Sequence, residues 1–105
     1  MEVFPREIEV CQDESGQEAF REWLNSLDSK TKARIIDRID RMEEGHFGEF
    51  NPVGDGVYEL ILDFGPGYRV YFGQIKNAVH LISGGMKRHQ QRDIDSAKRF
   101  WKKHD

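Results

Sequence analysis

Hydrophobic and polar positions along the chain change their period several times, and each change predicts a secondary-structure element. In residues 17–27, apolar side chains recur at i, i+3, i+4 and i+7, which predicts an amphipathic helix. The same spacing in residues 35–42 predicts a second helix, which follows the N-cap pair Asp28 and Ser29 and ends at Gly45. The short break between them predicts an antiparallel helical hairpin.

The amino-terminal segment predicts a strand, and the segment after the second helix predicts a loop. Val3, Ile8 and Val10 supply the strand's apolar positions, while Pro5 places the strand's start at a sheet edge or before pairing begins. Residues 47–56 contain one proline and three glycines, so we expect no regular structure there.

Three further apolar runs predict strands, at residues 57–62, 68–72 and 78–83. Because the intervening turns are short, these strands predict a three-stranded antiparallel meander. Residues 89–103 then predict a C-terminal helix whose apolar face contains Ile94, Ala97 and Trp101. The expected fold class is α+β: an N-terminal strand, a two-helix hairpin, the meander and a C-terminal helix.

The size and composition of the chain favour one domain, spanning residues 1–105. Only 37% of residues are apolar and 33% are charged, so the core must rely on large side chains, including seven Phe, three Tyr and two Trp. A stable protein partner would help so thin a core.

Cysteine and histidine usage predicts neither a disulfide nor a metal. Cys11 has no intrachain partner and cannot form a thiolate zinc site alone. His46, His80 and His104 are scattered, with no metal-ligand spacing on one helix. We expect no cofactor. The absence of a signal-like stretch or a run of ~20 apolar residues predicts a cytoplasmic protein without a membrane span.

Charge is distributed unevenly although the net charge is only −3. Residues 1–50 carry 7 basic and 13 acidic side chains, whereas residues 85–105 carry 7 basic and 3 acidic ones. The positive end predicts local binding of RNA or of an acidic protein. In the second helix, basic and acidic residues alternate and predict i,i+3 and i,i+4 pairs on a solvated face. The basic members are Lys32, Arg34, Arg38 and Arg41.

Strand alternation assigns side chains to the two faces of the meander. If Tyr68, Val70 and Phe72 pack on the helices, then Arg69 and Tyr71 point to the opposite face. The same rule applied to the preceding strand completes a predicted open face of Glu59, Ile61, Arg69 and Tyr71.

Several segments resemble the RelE/ParE toxin superfamily, specifically its branch of addiction-module killer proteins. The resemblance covers nearly the whole chain and includes a RelE-like fold. It is carried by Trp23-Leu24, NPVGDGVYEL from Asn51, FGPGYRVYF from Phe64, SGGMKRHQQRDI from Ser83, and the helix of Trp101. The resemblance implies the toxin of a type II toxin–antitoxin system, with a cognate antitoxin protein as its partner. RelE-like members cleave mRNA on the ribosome without a metal, whereas ParE-like members inhibit DNA gyrase.

The resemblance also implies catalytic residues, each of which has a structural alternative. Cleavage requires a base for the 2′-OH, donors for the charged phosphorane and an acid for the leaving oxygen. Arg69 corresponds to the family's strand arginine and suits the donor role, although it could instead pair with Glu59. Lys87 or Arg88 corresponds to the basic position after the last strand, or forms a solvated loop. His89 could transfer a proton, or is an ordinary surface histidine.

Further RNA contacts are predicted at Tyr71, Asn51, Lys98 and Lys102. Tyr71 could stack on a base, although strand propensity explains a tyrosine equally well. Asn51 and Ile61 stand where the killer-protein branch usually has lysine and arginine. Those two positions keep an alternative open: a non-catalytic binding module that inhibits gyrase or only engages its antitoxin.

Overall fold

One strand, two helices, four consecutive strands and a final helical segment follow one another through residues 4–104, which this computed structural model describes. Val3, part of the predicted first strand, lies outside the described residues. The elements are β1 (Glu7–Val10), α1 (Ala19–Asn25), α2 (Ser29–Glu43), β2 (Phe50–Gly54), β3 (Val57–Leu62), β4 (Tyr68–Ile75), β5 (Ala78–Met86), the 3₁₀ helix Lys87–His89 and α3 (Gln90–His104). Within residues 4–104, no helix combines the length and apolarity needed to cross a bilayer.

Five strands form one mixed sheet in the order β1-β5-β4-β3-β2. β1 runs parallel to β5, and the other neighbours are antiparallel. The α+β class is therefore confirmed, but the meander has four strands rather than three. That the whole fold is RelE-like stays a prediction.

The extra strand, β2, corrects the prediction of a loop at residues 47–56. β2 is an edge strand, so Pro52 can lack an N–H without breaking a central ladder. Asp55 and Gly56 both have positive φ, 56° and 81°, and connect β2 to β3. An Asp-Gly pair between apolar runs is a strong hairpin signal, and the loop prediction overlooked it.

The first face of the sheet packs on α1 and α2, as the alternation predicts. Tyr68, Val70 and Phe72 lie in one buried cluster with Phe20 of α1 and Ile35 of α2. This cluster forms the larger of the two apolar cores and fixes the orientation of β4.

The second face is covered by α3, so the predicted open face is wrong. Tyr71 packs in a second core with Ile94, Ala97 and Trp101 of α3. The exposed fractions are 0% for Tyr71 and 6% for Arg69. Because α1 and α2 already fill the first face, the apolar stripe of α3 is buried against the second. The sheet is the middle layer of three.

Arg38 of α2 ties the helix to the sheet instead of pairing on the helix surface. Its guanidinium donates to the carbonyl oxygens of Ile61 (2.8 Å), Phe47 (3.1 Å) and Glu49 (3.1 Å). No ion pair within the described residues joins two side chains of α2, so the predicted i,i+3 and i,i+4 pairs are not observed. Irregular carbonyls before β2 need donors, and Arg38 supplies them.

Each helical layer rests on a strand glycine beneath a tryptophan. A Cβ on Gly73 would overlap the Trp101 ring of α3, and a Cβ on Gly84 would overlap the Trp23 ring of α1. Neither glycine has a positive φ. These glycines are therefore required for space rather than for an unusual backbone conformation.

We expect Gly73→Ala to lower the free energy of unfolding by ~1–3 kcal/mol, because the methyl group forces Trp101 out of its position. Urea unfolding measures the change. In a Trp101→Ala background, the same glycine substitution should cost much less, because the ring is gone. An equal cost in both backgrounds would contradict the packing of α3 on β4.

Candidate functional site

Arg69 lies in the middle of the sheet, and its side chain is enclosed by protein groups. Its Nη1 donates to the carbonyl oxygen of Tyr68 at 2.9 Å and lies 3.8 Å from Asp63 Oδ1. Its Nε lies 4.0 Å from Glu59 Oε2, which is close enough for an ion pair but too far for a hydrogen bond. Of the two arrangements predicted for Arg69, a donor to phosphate or an ion pair with Glu59, the structure shows the ion pair.

The surroundings of Arg69 form a buried polar cluster, which we define as Glu59, Arg69, Tyr71, Gln90 and Asp93. Gln90, the first residue of α3, donates its Nε2 to Glu59 Oε2 at 2.7 Å. Asp93 of the first turn lies directly over Gly85, where a Cβ would overlap its carboxylate. Gly85 is the register partner of Arg69, so the glycine makes room for α3 to approach this part of the sheet.

The charge state of Tyr71 follows from its burial in this cluster. Desolvation raises the pKa of its phenol well above the usual range, and the nearby charges of Asp93 and Glu59 raise it further. The charge of Arg69 offsets part of that effect. The phenol is therefore neutral at physiological pH. A fully enclosed ring offers no face to a base, so the placement of Tyr71 on an open face is wrong.

Three polar atoms of the cluster have no hydrogen-bond partner within the described part of the chain. They are Arg69 Nε, Tyr71 Oη and Asp93 Oδ2. Buried polar atoms are usually satisfied, and each exception costs stability. The packing of α3 on the sheet holds these polar atoms in the interior of the fold.

The predicted basic residues form an exposed turn, which we call the basic turn: Lys87, Arg88 and His89. They make up the 3₁₀ helix between β5 and α3, with Lys87 and Arg88 exposed and His89 half-buried. The Lys87 N–H donates to the carbonyl oxygen of Gly67 at 3.0 Å. The basic turn therefore lies beside the glycine-proline turn that precedes β4.

The fold brings the backbone of Arg69 near the basic turn, but the Arg69 side chain is buried whereas those of Lys87 and Arg88 are exposed. Arg69 pairs in register with Gly85, two residues before Lys87. Its guanidinium is buried between the sheet and α3, whereas Lys87 and Arg88 face solvent. A phosphate group reaches the basic turn without rearrangement, but it cannot reach Arg69 directly.

The other predicted RNA contacts do not gather at the basic turn. Asn51 is exposed on the edge strand β2, opposite Glu59. Lys98 lies over β2, where a Cβ on Gly54 would be 3.0 Å from its Nζ. Lys98 and Lys102 follow the start of α3 by roughly 12 and 18 Å along its axis, at about 1.5 Å per residue. They form a separate basic stretch.

Arginines of α2 line a cleft, although the sequence predicted them on a solvated helix face. The cleft, about 440 Å³ in volume, lies between α2 and the turn after β3. Arg34, Arg38 and Arg41 line it together with Asp63, which also pairs with Arg69. The guanidinium of Arg34 stacks 3.8 Å from the centroid of the Phe64 ring. Arginines spaced three or four residues apart are the sequence signal for this surface.

Comparison with known proteins identifies the family. Residues 22–102 match the family model described as "Phage derived protein Gp49-like (DUF891)", so the chain belongs to that family. The chain is 44% identical over 81 residues to an uncharacterized protein of Haemophilus influenzae (strain ATCC 51907 / DSM 11121 / KW20 / Rd). That match covers 75% of this chain and 82% of the relative. No solved structure matches. Membership in the wider RelE/ParE superfamily stays a prediction.

We expect Arg69→Ala to lower the free energy of unfolding by ~1–3 kcal/mol, because it leaves the Glu59 carboxylate buried without its cation. Chemical denaturation measures the loss. Arg88→Ala removes the same charge from an exposed site and serves as the control, with an expected change within about 0.5 kcal/mol. If the two variants are equally stable, Arg69 has no structural role.

Proposed function

We propose that this protein is the toxin of a type II toxin–antitoxin system and cleaves mRNA on the ribosome without a metal ion. The observation that carries the proposal is the basic turn. Three consecutive basic side chains are presented at one end of the sheet, and two of them, Lys87 and Arg88, are exposed. Lysine and arginine bind the phosphates that follow one another along an RNA strand. Membership in the Gp49-like family and the resemblance to killer proteins support the same function.

The basic turn contains the residue types that metal-free RNA cleavage requires. In this reaction the 2′-oxygen attacks the adjacent phosphorus, the bond from phosphorus to the 5′-oxygen breaks, and a 2′,3′-cyclic phosphate remains. Lys87 and Arg88 stabilise the extra negative charge on the phosphorane. His89 accepts the proton of the 2′-OH and, once protonated, donates a proton to the leaving 5′-oxygen, so that the proton count balances.

Arg69 acts in this proposal as a positioning residue rather than as a contact to RNA. It holds Glu59, which accepts the hydrogen bond of Gln90. Gln90 follows His89 directly, so the ion pair restrains the backbone on which the basic turn is built. Pre-organised donors are worth more than flexible ones, because no reorganisation is needed as charge develops.

Charge distribution supports two macromolecular partners for the proposed toxin. The basic side chains of residues 85–105 are concentrated in a chain whose net charge is −3, so RNA binding would be local. A cognate antitoxin would cover the basic turn with an acidic or amphipathic segment. Cytoplasmic mRNA on the ribosome is the proposed substrate.

The alternative function is a non-catalytic binding module, acting on gyrase or only on an antitoxin. The burial of Arg69 between Glu59 and Asp63 favours it, because the arginine that corresponds to the family's catalytic position faces protein groups. Ile61, buried directly opposite Arg69, adds no positive charge there. A gyrase inhibitor would lower DNA supercoiling and leave transcripts intact.

We expect the double variant Lys87→Ala/Arg88→Ala to lose mRNA cleavage by about 100-fold or more, because phosphorane stabilisation disappears. The test is induction in bacteria without any antitoxin, with growth and RNA 5′ ends recorded. The wild-type chain should arrest growth and create new 5′ ends within translated codons. The variant should do neither while remaining soluble and folded.

The matched control is Arg21→Ala/Lys30→Ala, which removes one arginine and one lysine from exposed positions of α1 and α2. It should retain cleavage. Growth arrest with intact transcripts and reduced supercoiling would replace the nuclease with the gyrase inhibitor. Loss of cleavage in both double variants would show a general charge effect and remove the basic turn from the mechanism.

A further inference from the structure

Cys11, His80 and His104 meet at the opposite end of α3 from the basic turn. One ligand atom from each side chain lies within 4.8 Å of the other two, and Cys11 Sγ is 4.0 Å from His104 Nε2. Cys11 directly follows β1, His80 belongs to β5 and His104 ends α3. The three residues are far apart in sequence, which is why helix-based ligand spacing does not reveal them.

Regular structure holds the three side chains together. β1 pairs in parallel with β5, and the Cys11 N–H donates to the Leu81 carbonyl oxygen at 2.9 Å. The Trp101 ring packs against both histidines, with its centroid 5.7 Å from that of His80 and 5.3 Å from that of His104, and the two imidazole centroids are 5.8 Å apart. The cluster is therefore a product of the sheet and of α3 packing, not of a loose surface segment.

We propose that Cys11, His80 and His104 bind one Zn²⁺ or a similar borderline-soft divalent transition-metal ion. A thiolate and two imidazoles are preferred zinc ligands, and three protein ligands plus water complete a tetrahedral site. Bond lengths of about 2.0–2.3 Å place ligand atoms roughly 3.3–3.7 Å apart in such a site. The observed separations, all within 4.8 Å, require closure by at most about 1.5 Å, which side-chain rotation provides.

Glu9 supplies a carboxylate partner for the ring nitrogen of His80 that would not bind the metal, as is usual for zinc-bound histidines. Its Oε2 lies 3.4 Å from Nδ1 of His80. A carboxylate at Nδ1 favours the tautomer with its proton there, and leaves the lone pair of Nε2 for a metal. His104 is exposed and lines a cleft of about 900 Å³, so an ion can reach this ligand from solvent.

The ion would fasten the last turn of α3 to the edge of the sheet where β1 joins β5. This role is separate from the proposed nuclease, because the basic turn precedes the start of α3, at the other end of the helix, and the proposed cleavage uses no metal. The binding of an ion to the folded state adds stability that grows with the logarithm of the ratio of ion concentration to Kd. Failure of one proposal therefore leaves the other untouched.

The test uses the full chain without an affinity tag, stripped with a chelator, and Co²⁺ as the probe. We expect one equivalent of Co²⁺ to produce visible ligand-field bands and a thiolate-to-cobalt charge-transfer band, which Zn²⁺ displaces. Zn²⁺ should also raise the Tm. Cys11→Ser should abolish the charge-transfer band, and His104→Gln should weaken binding at least tenfold. Glu9→Gln should weaken it about tenfold through His80.

His46→Gln is the matched control, since it removes an exposed histidine outside the cluster and should leave Co²⁺ affinity unchanged. His104 is exposed too, so its variant is expected to fold, and circular dichroism checks each protein. The proposal is overturned if the folded wild-type chain shows no thiolate band. It is also overturned if Cys11→Ser retains that band, or if His46→Gln weakens binding as much as His104→Gln.

Discussion

The docking of α3 on the second face of the sheet is the constraint on which the remaining structure depends. It has an apolar part, in which Ile94, Ala97 and Trp101 pack on Tyr71, and a polar part, in which Gln90 bonds to Glu59. The apolar contacts supply most of the stability, because burial of large side chains is the main favourable term. The polar contact joins the first residue of α3 to the sheet, directly after the basic turn.

Much of the fold could be predicted from period and turn chemistry. Alternation in β4 correctly assigns Val70 to one face and Arg69 to the other, since successive strand side chains must diverge. What alternation cannot reveal is which element covers a face. The apolar stripe of α3 required a surface to pack on, and the second face of the sheet was the one left by α1 and α2. The strand β2 was missed because its proline and glycines outweighed the Asp55-Gly56 hairpin signal.

In the candidate site, too, local features could be predicted from the sequence, whereas features that depend on tertiary packing could not. The basic turn could be predicted from the sequence because Lys87, Arg88 and His89 are consecutive, and a turn between a strand and a helix exposes its side chains. The burial of Arg69 is not readable, since it arises from Asp63, Glu59 and α3 together. The cluster of Cys11, His80 and His104 is likewise invisible before the fold is known, because three separate elements supply it. Consecutive residues determine which side chains a turn carries, whereas the burial of a charged side chain depends on elements that are distant in the sequence.

The central claim is that Arg69 acts through Glu59 to position the start of α3. A double-mutant cycle on the free energy of unfolding, with Glu59→Gln, Arg69→Met and both together, tests it most directly. We expect a coupling energy of about 1 kcal/mol or more, with the double variant more stable than the sum of single effects allows, because neither side chain is then left as an unpaired buried charge. Additivity within about 0.5 kcal/mol would contradict the account and leave Arg69 free for another role.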